Sequence, residues 1–263
     1  MRIGKQDNPY TAICTSDAET ITVRGYDLCT DIMGQVDFTS YFWLLVCGKK
    51  PDANQQYFTN LVLTAIAEHG LVPSVVAARM TLAAAPEAFQ GAVAAGLNGC
   101  GSVVLGSAEV TGHFLTRIVE LSQHRVSLAE AVQEVLLQMK ANGQRVPGFG
   151  HPLHSAGDPR ANLILSKAAE KQAAGDYLAA LYEVQRQLPD VFGKALPINV
   201  NGAIPAIMLD VGFPLSALKG ISLLARTASL VAHLHEESAQ PIGFIMSGQA
   251  AAAISYNGPA QKE

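Results

Sequence analysis

The chain has 263 residues, 49% of them apolar and only 15% charged, with a formal net charge of −4. That length can bury a sizeable core, and the composition excludes a disordered chain. No Lys/Arg run occurs, which excludes an electrostatic footprint for nucleic acid or an anionic membrane.

Residues 1–7 lack the apolar core of a signal peptide, so a soluble, cytoplasmic protein is expected. Residues 21–25 alternate and are β-branched, which predicts a short strand or hairpin arm. Helical patterns then dominate. Residues 38–47 carry a dense aromatic and aliphatic face. Residues 55–68 place Phe58, Leu61, Val62, Ala65 and Ile66 at helical spacing. A helix over 74–84 follows, with Pro73 near its start. The apolar run 89–105 is interrupted by Gln90, Asn98 and several glycines, which suits close helix packing better than a lipid span. Residues 110–122 and 128–140 are amphipathic, and Ser127 with Glu130 resembles a capping box for the second.

Further on, Pro159 suits a first helical turn and Asp158 a cap, for a helix running to about 174. Helices are also predicted over 177–187, over 201–211 with Gly212 and Pro214 ending it, and over 215–236. No β-α-β alternation appears, so the predicted class is all-α with a small β element. Low charge with abundant Ala and Gly predicts a subunit interface as well. Cys14, Cys29, Cys47 and Cys100 show no metal-pair spacing and are predicted to be free, buried thiols.

The stretch from Val146 to Arg160 is the richest in chemistry. Pro147-Gly-Phe-Gly150 is a turn whose glycines let backbone N–H groups approach a ligand. It lacks the Lys-Ser/Thr of a nucleotide P-loop. His151 at its exit can move a proton near neutral pH, and Arg160 can grip a carboxylate with two hydrogen bonds. His154 reads as a solvated loop residue, and His113 and His124 as surface residues. His69 sits at the end of an apolar helix. His233, His235, Glu236 and Glu237 read as a polar helix end rather than a metal site. Arg79, Arg160 and Arg226 lie in apolar surroundings, where a buried arginine must be paired with a protein carboxylate or a bound acid. No acid occurs from 221 to 231, which tilts Arg226 toward a ligand.

Pro147-Gly-Phe-Gly-His151 followed by Asp158-Pro-Arg160 resembles the central motif of the citrate synthase superfamily. Other segments match in the same order. They are Arg24-Gly-Tyr-Asp-Leu28, Ala67-Glu-His-Gly70 with Ala77-Ala-Arg79, Asn199-Val-Asn201, and Ala225-Arg226 through Ala232-His233. The resemblance spans about residues 20–245. The chain is short for a synthase, and its 67–70 and 96–109 regions look closer to the citryl-CoA lyase branch, including the C-terminal module of ATP-citrate lyase.

This resemblance implies a two-domain helical fold and a homodimer or higher homo-oligomer. Residues 1–106 and 213–263 would form the large domain, and 107–212 the small one with the Gly-rich turn. It implies a CoA thioester as co-substrate, a small-molecule acid, and no metal. His69 and His151 would act on the oxaloacetate portion. Arg160 and Arg226 would hold its carboxylates, with Arg79 alongside. Val146, Pro147, Gly148, Phe149 and Gly150 would meet CoA through backbone groups.

There are departures from the family pattern. Leu105 stands where the synthases have a histidine that polarises the thioester, and it cannot donate a hydrogen bond. Asn201 replaces the catalytic aspartate, and an amide cannot accept and return a proton as a carboxylate does. Gln240-Pro241 stands where the family often has Arg-Pro, so the acid met by Gln240 would carry one fewer carboxylate, or a different substituent. The leading reading is therefore a lyase cleaving citryl-CoA or a related 3-hydroxy-acyl-CoA. A citrate- or methylcitrate-synthase-like acyltransferase, and a non-catalytic CoA/dicarboxylate-binding paralogue, are the alternatives.

Overall fold

A three-stranded antiparallel sheet opens the chain: β1 (Cys14–Ser16), β2 (Ile21–Val23) and β3 (Tyr26–Asp27), paired in that order. The β2–β3 turn places Arg24 and Gly25 at positive φ (51° and 86°), the geometry of a tight hairpin turn. Arg24 Nε and Nη2 donate to the Leu45 carbonyl, which fixes the sheet against the first helix. The computed structural model describes residues 9–150 and 157–259.

The rest is helical: α1 (Phe38–Cys47), α2 (Ala53–Ala67), α3 (Pro73–Ala84), α4 (Phe89–Asn98), α5 (Ser107–His124) and α6 (Leu128–Ala141). Then come α7 (Pro159–Glu170), α8 (Asp176–Phe192), α9 (Val200–Asp210), α10 (Leu218–Ala239) and α11 (Gly243–Ala253). The fold is all-α with a small N-terminal sheet, as the patterning implied. The Ser127–Glu130 capping box is formed, and Asp158 caps α7 with Pro159 in its first turn. Two helices run further than their prolines suggest. Helix α8 continues past Pro189 because Leu188 and Val191 are buried on its inner face. Helix α9 carries Pro205, which withholds the N–H that would otherwise bond the Asn201 carbonyl.

Two apolar clusters hold the helices. The larger joins α2 and α5–α9, with Trp43 and Phe213 stacked at 5.4 Å in a tilted pair. The smaller joins Val75, Ala78 and Leu82 of α3 with Ala92 of α4 and Leu230 and Leu234 of α10. Helix α10 is apolar and long enough, with the turn before it, to cross a membrane by length alone. Here it packs against α2, α3, α4 and α5 and serves both clusters: Ile221 and Ala225 enter the first, Leu230 and Leu234 the second. Arg226 therefore sits where one core hands over to the other.

The thiol expectation holds only in part. All four cysteines are free, but Cys14 and Cys29 are exposed and only Cys100 is buried. Cys14 lies in β1, whose three residues are all exposed, and Cys29 in the short helical turn after the sheet, where Ile32 is the buried residue.

Candidate functional site

The turn between α2 and α3 comes first. Helix α2 ends at Ala67, and Glu68 is already extended (φ −119°, ψ 140°). Gly70 takes φ +69° and sends the chain into α3. His69 is presented at the tip and is exposed. The Glu68 carboxylate folds back to accept from the His69 N–H (2.8 Å) and the Gly70 N–H (2.5 Å). It also accepts from Ser229 Oγ (2.6 Å) and lies 3.1 Å from His233 Nε2. Burial alone would raise the Glu68 carboxyl. The bonds from Ser229, His233 and Gly70 outweigh it and bring the group to about 2.

Arg226 rises from α10 beside this turn. It is only 2% exposed, yet among the described residues its guanidinium has one polar partner, Ser229 Oγ at 3.2 Å from Nη1. Nε is buried with no partner among the described residues. Burial pushes this guanidinium below its ordinary value, against the attraction of Glu68. Such a group is costly in an empty site and valuable when a carboxylate arrives.

The Gly-rich turn is stitched to the segment that leads into α9. Gly150 N–H donates to the Pro197 carbonyl (2.8 Å), Asn199 N–H to the Gly148 carbonyl (3.0 Å), and Asn199 Nδ2 to the Gly150 carbonyl (2.7 Å). Gly148 has φ +85°, and a Cβ there would lie 2.9 Å from both Gly202 Cα and Thr111 Cγ2. Its glycine is needed for packing against α9. Gly148→Ala is expected to cost about 2–4 kcal/mol, from left-handed backbone and overpacking together. Chemical denaturation would measure it, and a change under 1 kcal/mol would refute the close-contact argument.

Asp158 joins three pieces of the site. Fully buried, it accepts from the Arg160 N–H, grips Arg160 Nε (3.1 Å) and Nη2 (3.0 Å), and accepts from the Val200 N–H at the start of α9 (3.0 Å). Among the described residues Arg160 Nη1 has no hydrogen-bond partner, and Arg160 lines the cavity described below. Burial would raise the Asp158 carboxyl, but the bonds from Arg160 and Val200 hold it below its ordinary value. Asp158→Ala is expected to destabilise by about 2–4 kcal/mol, through the lost cap and the stranded Arg160 and Val200 groups. A depressed folded-state carboxyl contributes stability above the ordinary aspartate value of about 3.9. That contribution disappears as pH falls through the lower folded value. The wild type should therefore lose more stability between pH 5 and 2 than Asp158→Asn, in acid-denaturation curves.

These elements enclose a cavity of about 350 Å³. His69, Arg160, Asn201 and Arg226 all line it, with Gly150, Asn199, Ser107 and Ser222. The N-terminus of α9 opens into it, capped by Asn199 Oδ1 on the Asn201 N–H (2.9 Å), so the positive helix end faces the space. Ile66, Val72, Pro73, Val103, Val104 and Leu105 supply an apolar wall. Leu105 holds φ +67°, an unusual backbone for leucine that costs about 1–2 kcal/mol.

Other predicted site residues fall elsewhere. Arg79 does not line the cavity. It is buried against Glu237 (2.7 Å to Nε) and Glu236 (2.5 Å to Nη1), with the Gln240 carbonyl 3.3 Å from Nη2. Its charge is answered by protein carboxylates. Glu237 also accepts from the Ile242 and Gly243 N–H groups at the start of α11, so the Arg79 cluster ties α3, α10 and α11 together. Gln240 is exposed at the end of α10 and serves this cluster through its backbone.

Of the residues assigned to CoA, only Gly150 lines the cavity. Val146, Gly148 and Phe149 are buried, and Pro147 faces a second groove beside His113, Arg117 and Arg145. The Gly150 N–H and the Gly148 and Gly150 carbonyls are spent on the chain leading into α9. His151 and His154 lie outside the described residues. Among those described, no group of three His, Cys, Asp or Glu side chains is placed to hold a metal ion. Glu68, Ser222 and Ser229 were not singled out by the motifs, although Glu68 adjoins His69 and Ser229 lies one helical turn from Arg226.

Comparison with known proteins agrees with this fold. The citryl-CoA lyase of Hydrogenobacter thermophilus superposes with a TM-score of 0.86 at 27% identity, over 100% of this chain and 97% of that one. An ATP citrate lyase from Methanothrix soehngenii, solved with citrate and coenzyme A, shares the fold (TM-score 0.77, 21% identity) over 98% of this chain and 43% of its own. A citrate synthase from Synechocystis is 26% identical over 208 residues, 77% of this chain. The chain spans about half the length of the curated relatives it matches, 50% for the Synechocystis protein. The family described as "Citrate synthase, C-terminal domain" matches residues 30–243, and the chain belongs to the citrate synthase family.

Proposed function

We propose that this protein is a CoA-dependent carbon–carbon lyase that cleaves citryl-CoA, or a related 3-hydroxy-acyl-CoA, to acetyl-CoA and oxaloacetate or a related 2-oxo acid. The observation that carries the reading is Arg226, a buried guanidinium facing the cavity with no carboxylate bonded to it among the described residues. Arg160, His69 and the α9 N-terminus converge on the same space. The likeness to a citryl-CoA lyase over nearly the whole of both chains supports the cleavage direction.

In this reading Arg226 and Arg160 Nη1 hold the acid's carboxylates. His151 takes the proton of the tertiary hydroxyl, a role implied by the family resemblance. The C–C bond breaks as the hydroxyl carbon becomes a carbonyl, and the electron pair leaves as the acetyl-CoA enolate. Proton return to that carbon completes the balance. Asn201 can neither take a proton from acetyl-CoA nor return one to its enolate, and Leu105 cannot donate to the thioester carbonyl, so the proton that reaches the enolate carbon is the one His151 has taken up, or one from water. The protein is proposed to work as a homo-oligomer in the cytoplasm, with residues 107–212 closing over the substrates.

Purified protein given citryl-CoA should release acetyl-CoA and oxaloacetate. Absence of release, with a panel of related thioesters also inert, would refute the lyase. The citrate synthases among the relatives favour a second reading, condensation. It predicts free CoA from acetyl-CoA plus a 2-oxo acid. If both assays are silent while calorimetry detects CoA and oxaloacetate binding, the protein is a binding paralogue.

A further inference from the structure

We propose that Glu68 is a positioning residue that locks the His69 turn to the buried Arg226 through Ser229, so that the two arms of the cavity are held as one. The proposal rests on the reading of the cavity as a carboxylic-acid site.

The argument is one of hydrogen-bond polarity. Arg226 Nη1 can only donate, so Ser229 Oγ accepts from it (3.2 Å). Ser229 has a single hydroxyl proton, and the Glu68 carboxylate, 2.6 Å away, can only accept. The order Arg226 to Ser229 to Glu68 is therefore fixed. His233 repeats the logic on the other side. Arg79 Nη1 donates toward His233 Nδ1 (3.4 Å), which leaves the ring proton on Nε2, facing Glu68 at 3.1 and 3.2 Å. The N–H groups of His69 and Gly70 complete the set. Every neighbour points a proton at Glu68, and no other described group answers them.

The separation in sequence adds weight. Glu68 and Ser229 are 161 residues apart, on the end of α2 and on α10. Nothing local requires the bond: Glu68 caps no helix N-terminus, and its side chain is 53% exposed. What the contact achieves is to hold the His69 backbone while orienting the hydroxyl that steadies Arg226. Glutamine has nearly the same shape but brings two N–H donors into a ring of donors. Aspartate keeps the charge but is one methylene shorter, so it cannot reach both the turn and Ser229.

The test is calorimetric titration of the full chain with oxaloacetate and, separately, with CoA. Glu68→Gln should weaken oxaloacetate binding at least tenfold and leave CoA binding within twofold. Ser229→Ala should weaken it less. The double variant should be no worse than Glu68→Gln alone, because both act along one path. Glu68→Asp should restore part of the affinity. Unchanged oxaloacetate affinity in Glu68→Gln, or additive effects in the double variant, would overturn the proposal. If the wild type binds no oxaloacetate, the acid-site reading fails, and the link is judged by hydrogen exchange. The His69 and Gly70 amides and the Arg226 Nε–H, identified by its loss in Arg226→Lys, should exchange at least tenfold faster in Glu68→Gln. Unmoved rates would end the proposal regardless of ligand.

Discussion

Replacing Arg226 with methionine is expected to make the protein more stable and nearly inactive at once. The guanidinium sits at the handover between the two apolar clusters, 2% exposed, and among the described residues Nε has no partner and Nη1 has one, a serine hydroxyl. Removing a poorly answered buried charge in favour of an apolar side chain of similar length is worth about 1–2 kcal/mol. For a chain of this size that is a rise of a few degrees in melting temperature. Ser229 keeps its bond to Glu68, so no new orphan is created. Against this, the substrate loses a charge-assisted, desolvated contact worth about 2–5 kcal/mol. The corresponding fall in kcat/KM is roughly thirtyfold or more. A thermal melt and a citryl-CoA cleavage assay on the same preparation decide the matter. If melting temperature and activity fall together, Arg226 supports the fold and is not reserved for a ligand.

Asn201→Asp is expected to switch on proton exchange at the acetyl group of acetyl-CoA. Asn201 opens α9 at the cavity wall, its N–H held by Asn199 and its carbonyl relieved of a helical donor by Pro205. A carboxylate there would be stabilised in its charged form by the helix N-terminus and could act as a general base. General acid–base catalysis is worth about 10²–10⁴ in rate. Deuterium uptake into the acetyl-CoA methyl group in heavy water, followed by NMR with CoA-saturated protein as the blank, measures this directly. An unchanged rate would mean that the acetyl group is not presented to position 201, and the family's catalytic geometry would not carry over to this chain.

Much of this site was legible because its chemistry is written in short, local motifs. Asp158-Pro-Arg160 states a cap and a first-turn proline, and the structure builds both, but the two-pronged grip expected of Arg160 on a bound acid is made on Asp158 instead. Arg226 was legible by what its surroundings lack: no acid lies within a turn of it on α10. The same reasoning misplaced Arg79, because its partners Glu236 and Glu237 come from more than 150 residues away. Apolar neighbours in sequence hid acidic neighbours in space. The glycines of the 146–150 turn show a different limit. A glycine that admits a ligand and one that admits another backbone look alike in sequence, and Gly148 is the second kind. Helix α11 went unpredicted because its run of Ala, Gly and Ser has little periodicity and almost all of it is exposed.

The segment carrying Leu105 has a consequence for how this scaffold acquires new substrates. Residues 101–106 form a small closed loop, pinned by the Gly106 N–H on the Gly101 carbonyl (2.8 Å) and by the Gly101–Leu105 bridge. Val103, Val104 and Leu105 line the cavity yet belong to neither apolar cluster, and Val103 is 89% exposed. This half of the apolar wall thus stands apart from both clusters, whereas Ile66 and Val72 on the same wall pack into them. The arginines and their tethers are wired across the whole chain and resist piecemeal change. Substitutions at 103–105 are therefore expected to reshape the cavity at a smaller cost in stability than substitutions at Ile66.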